Sequence, residues 1–184
     1  MGRWILPLAL FLVAFHFTSL VALAEERPTE ITIGFVPGDN PESIKENAVE
    51  FASLLQTKLG LPVNVFIPKD YVGLVEAMKN KKIDFAFFSA LTFVFAEQQS
   101  GAKVLLKRVW ESSFYYSTIL VPFDSKFKSL SDLRQKRFAF VDEKSTSGYL
   151  YPQVYFKNNK INAKEYFSKL VFSGHHLGSS ELLA

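Results

Sequence analysis

Apolar and polar positions fall in alternating blocks along most of the chain, and the blocks read as strands and helices in turn. Ile31 to Val36 is a β-rich run closed by the turn cluster Pro37-Gly38-Asp39-Asn40-Pro41. From Glu42 to Leu59 the apolar residues Ile44, Ala48, Phe51, Ala52, Leu54 and Leu55 recur with a helical period, and Gly60 stands where a helix-ending glycine belongs. Val63 to Ile67 alternates as a strand, and Tyr71 to Asn80 is a short helix with Leu74, Val75 and Met78 on one face. Ile83 to Phe88 is nearly continuous in apolar residues, the pattern of a strand covered on both faces. The turn Ser89-Ala90-Leu91-Thr92 opens a helix to about Gln99, and Ala102 to Lys107 and Tyr115 to Val121 read as further strands.

The second part of the chain repeats the grammar. Ser129 to Arg134 predicts a helix of one or two turns with a serine cap. Phe138 to Val141 is a short buried strand whose following helix runs to about Asn158, and Tyr166 to Phe172 is a last partial strand. Repeated strand–helix units predict an α/β protein, its sheets mostly parallel with helices on their faces. A last helical pattern begins at Ser179 and stops at Ala184 without a cap, so the chain is expected to be a fragment or the product of a shortened reading frame.

The N-terminus is of another kind. Arg3 precedes an apolar stretch from Trp4 to Val21, Ala22-Leu23-Ala24 is an Ala-x-Ala cleavage pattern, and the charged Glu25-Glu26-Arg27 follows. An uncleaved membrane anchor is the rival, because the stretch approaches the roughly 18 apolar residues that can span a bilayer. The small-residue site followed at once by charge favours a cleaved signal peptide, residues 1–24, and a periplasmic destination. The sequence contains no cysteine, so neither a lipid-anchored cysteine nor a disulfide framework is expected.

Composition narrows the function. The mature length is that of one domain by the usual prior of about 100–200 residues per domain, and the aromatic content of 15% promises a substantial core. The net charge of +3 is spread among interspersed lysines, aspartates and glutamates, so there is no basic stripe for nucleic acid. His175 and His176 are adjacent, share no face for chelation, and have no cysteine or HExxH pattern beside them, so no metal is expected. No Gly-x-Ser-x-Gly elbow surrounds Ser145, and no Walker or dinucleotide glycine pattern is present. Catalysis therefore has no support, and no cofactor is expected.

Two strand–turn–helix units carry the remaining chemistry. Ile83–Phe88 leads into Ser89–Thr92, and Phe138–Val141 leads through Asp142-Glu143-Lys144 into Ser145-Thr146-Ser147-Gly148. A helix start offers free N–H groups and the positive end of the helix dipole, and in open α/β sheets ligands sit outside the carboxyl ends of strands. Two such ends facing each other would clamp one anion. Ser145, Thr146 and Ser147 each add a hydroxyl, and Gly148 removes a Cβ where a ligand or the helix approaches. An ordinary N-cap is the alternative, though one cap needs one hydroxyl. Tyr71 and Tyr115-Tyr116, at element ends, are either phenolic donors or half-buried packing residues.

These motifs together resemble the periplasmic phosphonate-binding proteins of ABC transporters, the phosphate/phosphite/phosphonate solute-binding group. The resemblance runs from about Ile31 to His175. It rests on Ile33-Gly34-Phe35-Val36-Pro37, Asp70 to Met78, Ile83-Asp84-Phe85-Ala86-Phe87, Tyr115-Tyr116-Ser117 and Ser129-Leu130-Ser131-Asp132-Leu133. Its most specific piece is Asp142-x-x-Ser145-Thr146-Ser147-Gly148-Tyr149-Leu150-x-Pro152. It implies a two-lobed binding protein of mixed, mostly parallel sheets that closes like a hinge on its ligand and delivers it to a membrane permease. Residues 25–119 would form the first lobe and residues 120–184 an incomplete second one, in a monomer.

It further implies that Ser145, Thr146, Ser147 and Gly148 hold phosphonate oxygens, with Tyr71, Ser89 and Tyr115 opposite and His175 as a further donor. Phe93 stands where family members often carry tyrosine, and the carboxylates that bind the amine of aminoalkyl phosphonates would lie beyond Ala184. A periplasmic sensor input for a phosphorus oxyanion and, more remotely, a serine hydrolase are the alternatives.

Overall fold

A computed structural model describes residues 28–38, 41–109, 112 and 114–183. The expected signal peptide, residues 1–24, lies outside the described residues. Three parallel strands form the first sheet: β1 (Ile31–Phe35), β2 (Val63–Phe66) and β3 (Phe85–Phe87), in the order β2-β1-β3. Parallel neighbours need crossovers, and helices α1 (Pro41–Leu59) and α2 (Tyr71–Lys79) provide them. Because β1 is central, the winding changes direction between β1 and β3, the place where an open α/β sheet forms a crevice. A third helix, α3 (Ala90–Ser100), leaves the carboxyl end of β3.

The second sheet has two parallel strands, β4 (Arg137–Phe140) and β5 (Lys169–Phe172). A π-helical turn over Thr146–Leu150 runs into α4 (Tyr151–Asn158), and α5 (Ala163–Tyr166) returns the chain to β5. A 3-10 turn at Leu130–Leu133 precedes β4, and α6 (His176–Glu181) follows β5. Every strand pair among the described residues is parallel.

Each sheet has its own core. Leu74, Ala77 and Ile83 are buried together, with Val36, Phe66, Met78, Ala86 and Phe88 around them. Gly34 makes that packing possible, since a Cβ there would stand 2.5 Å from Leu74 Cδ1 and 2.8 Å from Ile83 Cδ1. The second core is aromatic: Phe140, Phe156 and Phe167 are buried with Leu133 and Ala163, and Phe138 stacks on Phe167 at 4.5 Å. Full burial of a phenylalanine is worth about 1.5–3 kcal/mol, so this cluster is the main support of β4 and α4.

Four expectations fail in detail. Ala102–Lys107 and Tyr115–Val121 form no strand, and no described strand pairs with them; Val104, Leu105 and Leu106 are 64–86% exposed. A β-rich sequence is only a candidate until an edge meets it. The apolar run at Ile83–Phe88 is not covered on both faces either: β3 is an edge strand, Phe85 and Phe87 are exposed by 45% and 42%, and only Ile83 is fully buried. Finally, the predicted strand at Tyr166 begins at Lys169, because Ala163–Tyr166 closes a helical turn capped by Asn162.

Candidate functional site

The two predicted turn units meet. Ser89 is the N-cap of α3, extended at φ −72° and ψ 162°, and Ser145 is the N-cap of the π-turn at φ −77° and ψ 130°. The Thr146 hydroxyl bridges them, accepting from the Leu91 N–H at 2.8 Å and donating to Ser89 Oγ at 3.3 Å. Behind it, Ser89 Oγ and Thr92 Oγ1 lie 2.7 Å apart, and Thr92 Oγ1 donates to the Lys144 carbonyl at 3.0 Å. A hydroxyl has one proton, so the last bond fixes the order: Thr146 donates to Ser89, Ser89 to Thr92, and Thr92 to the Lys144 carbonyl. Thr92 is wholly buried, so this chain is shielded from water. The Lys144 ammonium adds a further tie, 3.6 Å from the centre of the Phe95 ring.

Protons committed in this way cannot be given to a ligand. Those of the neighbouring serines are not committed among the described residues, with Ser145 buried and Ser147 half-buried. Ser145 Oγ accepts from the Gly148 N–H at 3.1 Å, but its own proton meets no acceptor among the described residues. Ser147 Oγ makes no hydrogen bond among them, while the Ser147 carbonyl takes the Ser117 hydroxyl at 2.6 Å. The N–H groups of Thr146 and Ser147 belong to the first turn, where no intrahelical acceptor exists. Two hydroxyls and two amides thus form a run of uncommitted donors over three residues at the carboxyl end of β4, which suits an anion with several oxygens.

Gly148 is explained by packing. A Cβ there would stand 2.5 Å from Val141 Cβ and closer still to Val141 Cγ2, so the turn folds back on its own strand. The close neighbour is Val141, where the sequence left open a ligand or the helix. Ser147 and Gly148 line a cavity of about 290 Å³ shared with Tyr116, Thr118, Arg137 and His176. A wider groove of about 930 Å³ on the outer face of α1, lined by Glu42, Lys45, Glu46 and Val49, includes no residue of either turn.

The structure separates the remaining predicted residues. Tyr71 is the first residue of α2 and 2% exposed. Tyr115 is 56% exposed in irregular chain and does not line the cavity; its neighbour Tyr116 does. His175 is the N-cap of α6, its Nδ1 accepting from the Gly178 N–H at 2.9 Å, and His176 lines the cavity instead. In each doublet one member lines the cavity and its neighbour does not.

Three participants carry no sequence prediction. Thr92 holds the hydroxyl chain, and the spacing Ser89-x-x-Thr92 is the signal that could have found it. Ser117 ties the irregular segment to the turn. Asp142, at the carboxyl end of β4, accepts from the Lys144 N–H at 2.7 Å. Its pKa is raised, first by burial and then by the charges of Asp70 and Glu143, while the Lys144 and Tyr71 backbone N–H groups oppose the rise. Among the described residues no group of histidine, aspartate and glutamate side chains could hold a metal ion.

Comparison with known proteins points in one direction. Residues 33–184 match the family model for the ABC transporter phosphonate periplasmic substrate-binding protein. The chain is 31% identical over 182 residues to the phosphonates-binding periplasmic protein of Escherichia coli K12, covering 91% of this chain and 54% of that one. Its fold is similar to a binding-protein component of an ABC phosphonate transporter from Pseudomonas aeruginosa, with a TM-score of 0.76 at 25% identity, covering 82% of this chain and 52% of that one. It is also similar to a Prochlorococcus marinus protein solved in complex with methylphosphonate, with a TM-score of 0.64 at 21% identity, covering 85% and 60%. The chain therefore spans about half the length of the relatives it matches.

Proposed function

The chain belongs to the family of periplasmic phosphonate substrate-binding proteins of ABC transporters, and we propose on that premise that it captures a phosphonate or related phosphorus oxyanion at the Ser145–Gly148 turn. The ligand is held by the Thr146 and Ser147 amides and the Ser145 and Ser147 hydroxyls, and leaves chemically unchanged. The observation that carries this reading is the run of uncommitted donors at the carboxyl end of β4, beside a turn whose other hydroxyls are fully engaged. Gathered donors at a helix start favour an anion by electrostatics and by satisfying orphan amides together.

The rest of the assignment follows from the same premise. Residues 1–24 direct export to the periplasm, and residues 25–119 and 120–184 contribute to two lobes. Tyr71, Ser89, Tyr115 and His175 stand on the ligand's far side or support it, and the loaded protein hands its cargo to a membrane permease. Among the described residues no helix is long and apolar enough to cross a membrane.

Calorimetric titration of the purified chain with methylphosphonate, phosphite and phosphate tests the reading. Saturable binding of at least one, with a rise in melting temperature and no phosphorus-containing product, is the expected result. Absence of both heat and stabilisation with all three anions would remove the proposal.

A further inference from the structure

The turn between β4 and α4 leaves one of its carbonyls without a partner of its own. Its hydrogen bonds run five residues back: the Leu150 N–H donates to the Ser145 carbonyl at 3.1 Å, and the Tyr151 N–H to the Thr146 carbonyl. The next bond of that ladder would join residue 152 to the Ser147 carbonyl, and residue 152 is proline, which has no N–H. Tyr151, which would serve Ser147 in an ordinary α-helix, is already engaged with Thr146. A half-buried carbonyl without a donor is costly, so the Ser147 oxygen needs one from outside the helix.

Ser117 is that donor. Its hydroxyl reaches the Ser147 carbonyl at 2.6 Å from thirty residues away in the chain. The same peptide unit is tied at its other end, where the Gly148 N–H donates to Ser145 Oγ at 3.1 Å. The two groups point in opposite directions from one planar peptide, so together they fix its rotation.

That rotation matters to the site. Gly148 has no Cβ, so the 147–148 peptide turns easily at its glycine end. A flipped peptide sets the Ser147 oxygen, in place of the Gly148 N–H, against Ser145 Oγ. The oxygen would then take the Ser145 proton, one of the two hydroxyl protons left for an anion, and turn a carbonyl toward the same side.

Resting on the binding function proposed above, we propose that Ser117 is a positioning residue for the oxyanion turn: its hydroxyl replaces the amide that Pro152 lacks, fixes the Ser147–Gly148 peptide, and so keeps the Ser145 proton available. The ligand need not touch Ser117.

A double-mutant cycle on the full chain tests this, read by affinity for methylphosphonate. Ser117→Ala should bind roughly tenfold more weakly, and Ser117→Thr, which keeps the hydroxyl, should bind within about twofold of wild type. Pro152→Ala returns an amide to the position that faces the Ser147 carbonyl. The Gly148 carbonyl is no rival for it, since it accepts from the Val141 N–H at 3.1 Å. In the Pro152→Ala background, removing the Ser117 hydroxyl should therefore weaken binding by less than about threefold. A second reading, without ligand, is the Ser147 carbonyl carbon resonance. It should move upfield in Ser117→Ala and return in Ser117→Ala/Pro152→Ala.

Equal losses of affinity in the two backgrounds overturn the proposal, and so does a Ser117→Ala protein that binds like wild type. Should Ser117→Ala not fold, Ser117→Cys, of nearly the same shape but with a weak S–H donor, takes its place in both measurements. A Ser147 resonance that ignores Ser117 overturns the proposal whether or not an anion binds. If no phosphorus oxyanion binds while that resonance still follows Ser117 and Pro152, the binding function fails and the hold on the peptide stands.

Discussion

The turns at Ser89 and Ser145 are built from one local plan and end with opposite chemistry. Each follows a parallel strand, begins with a serine cap in extended backbone, and opens a helix. At Ser89 the hydroxyl protons pass inward, through Thr92 to the Lys144 carbonyl, and the Leu91 amide is taken by Thr146. At Ser145 two hydroxyl protons and two amides stay uncommitted among the described residues. The difference lies in what each turn touches. The first is closed by the second, and the second is held through Thr146, the Lys144 and Ser147 carbonyls and Val141, contacts that leave the Ser145 and Ser147 protons untaken among the described residues. A serine-rich helix start is thus not a binding site in itself; the oxyanion site proposed above is the one whose partners leave donors over.

The strongest way to break the contrast is to remove the glycine that folds the second turn onto its strand. Gly148→Ala should cost about 1–3 kcal/mol, the usual price of overpacking, because the new methyl meets Val141. Urea unfolding should show it, and anion binding should fall with it. Next comes the seam between the turns. Thr92→Val keeps the shape but strands the Lys144 carbonyl and the Ser89 proton, at about 1–3 kcal/mol. A value near zero would mean that water enters the seam.

Single serines sharpen the comparison further. Ser145→Ala removes a cap and should lower stability by about 0.5–2 kcal/mol along with affinity. Ser147→Ala should change stability by no more than about 0.5 kcal/mol and still weaken anion binding roughly tenfold. Equal stability losses from both would show that Ser147 is a packing residue.

The smallest effect is a matter of pH. Asp132 is held by the N–H groups of Lys128 and Ser129 and the Ser129 hydroxyl, all of which favour its charged form and lower its pKa. It contributes stability above the ordinary aspartate value, lost as pH falls through its lowered folded value. Asp142 has the reverse sign: its raised pKa makes stability decline as pH rises from the ordinary value to the folded one. Unfolding across the acid range should therefore flatten in opposite directions for Asp132→Asn and Asp142→Asn.

Much of the fold was legible because local signals agreed with one another. The helix at 41–59 ends at Gly60, whose φ of +67° is the left-handed turn expected of it. The turn at Ser89 opens its helix where the sequence placed it, with Ser89 as the cap. The candidate strands at 102–107 and 115–121 were misread for a physical reason: strand formation depends on a neighbouring edge, which propensity does not contain. In the doublets Tyr115-Tyr116 and His175-His176 the sequence does not say which member faces the cavity, for a related reason. Adjacent side chains in irregular chain or at a cap point differently, and the backbone alone decides which lines the cavity.

The sequence by itself determined the alternation of strands and helices, the two serine-capped turns and the family, because these depend on spacing and residue type along a short stretch. Tertiary structure alone decided which donors remain for a ligand. Whether a hydroxyl proton is free depends on which acceptor stands within 3.5 Å, and here acceptors lie more than fifty residues away, as in Thr92 to Lys144 and Thr146 to Ser89. Proton commitments across such distances are set when the two sheets pack, so Ser145 and Ser147 differ from Ser89 and Thr146 only in the folded molecule.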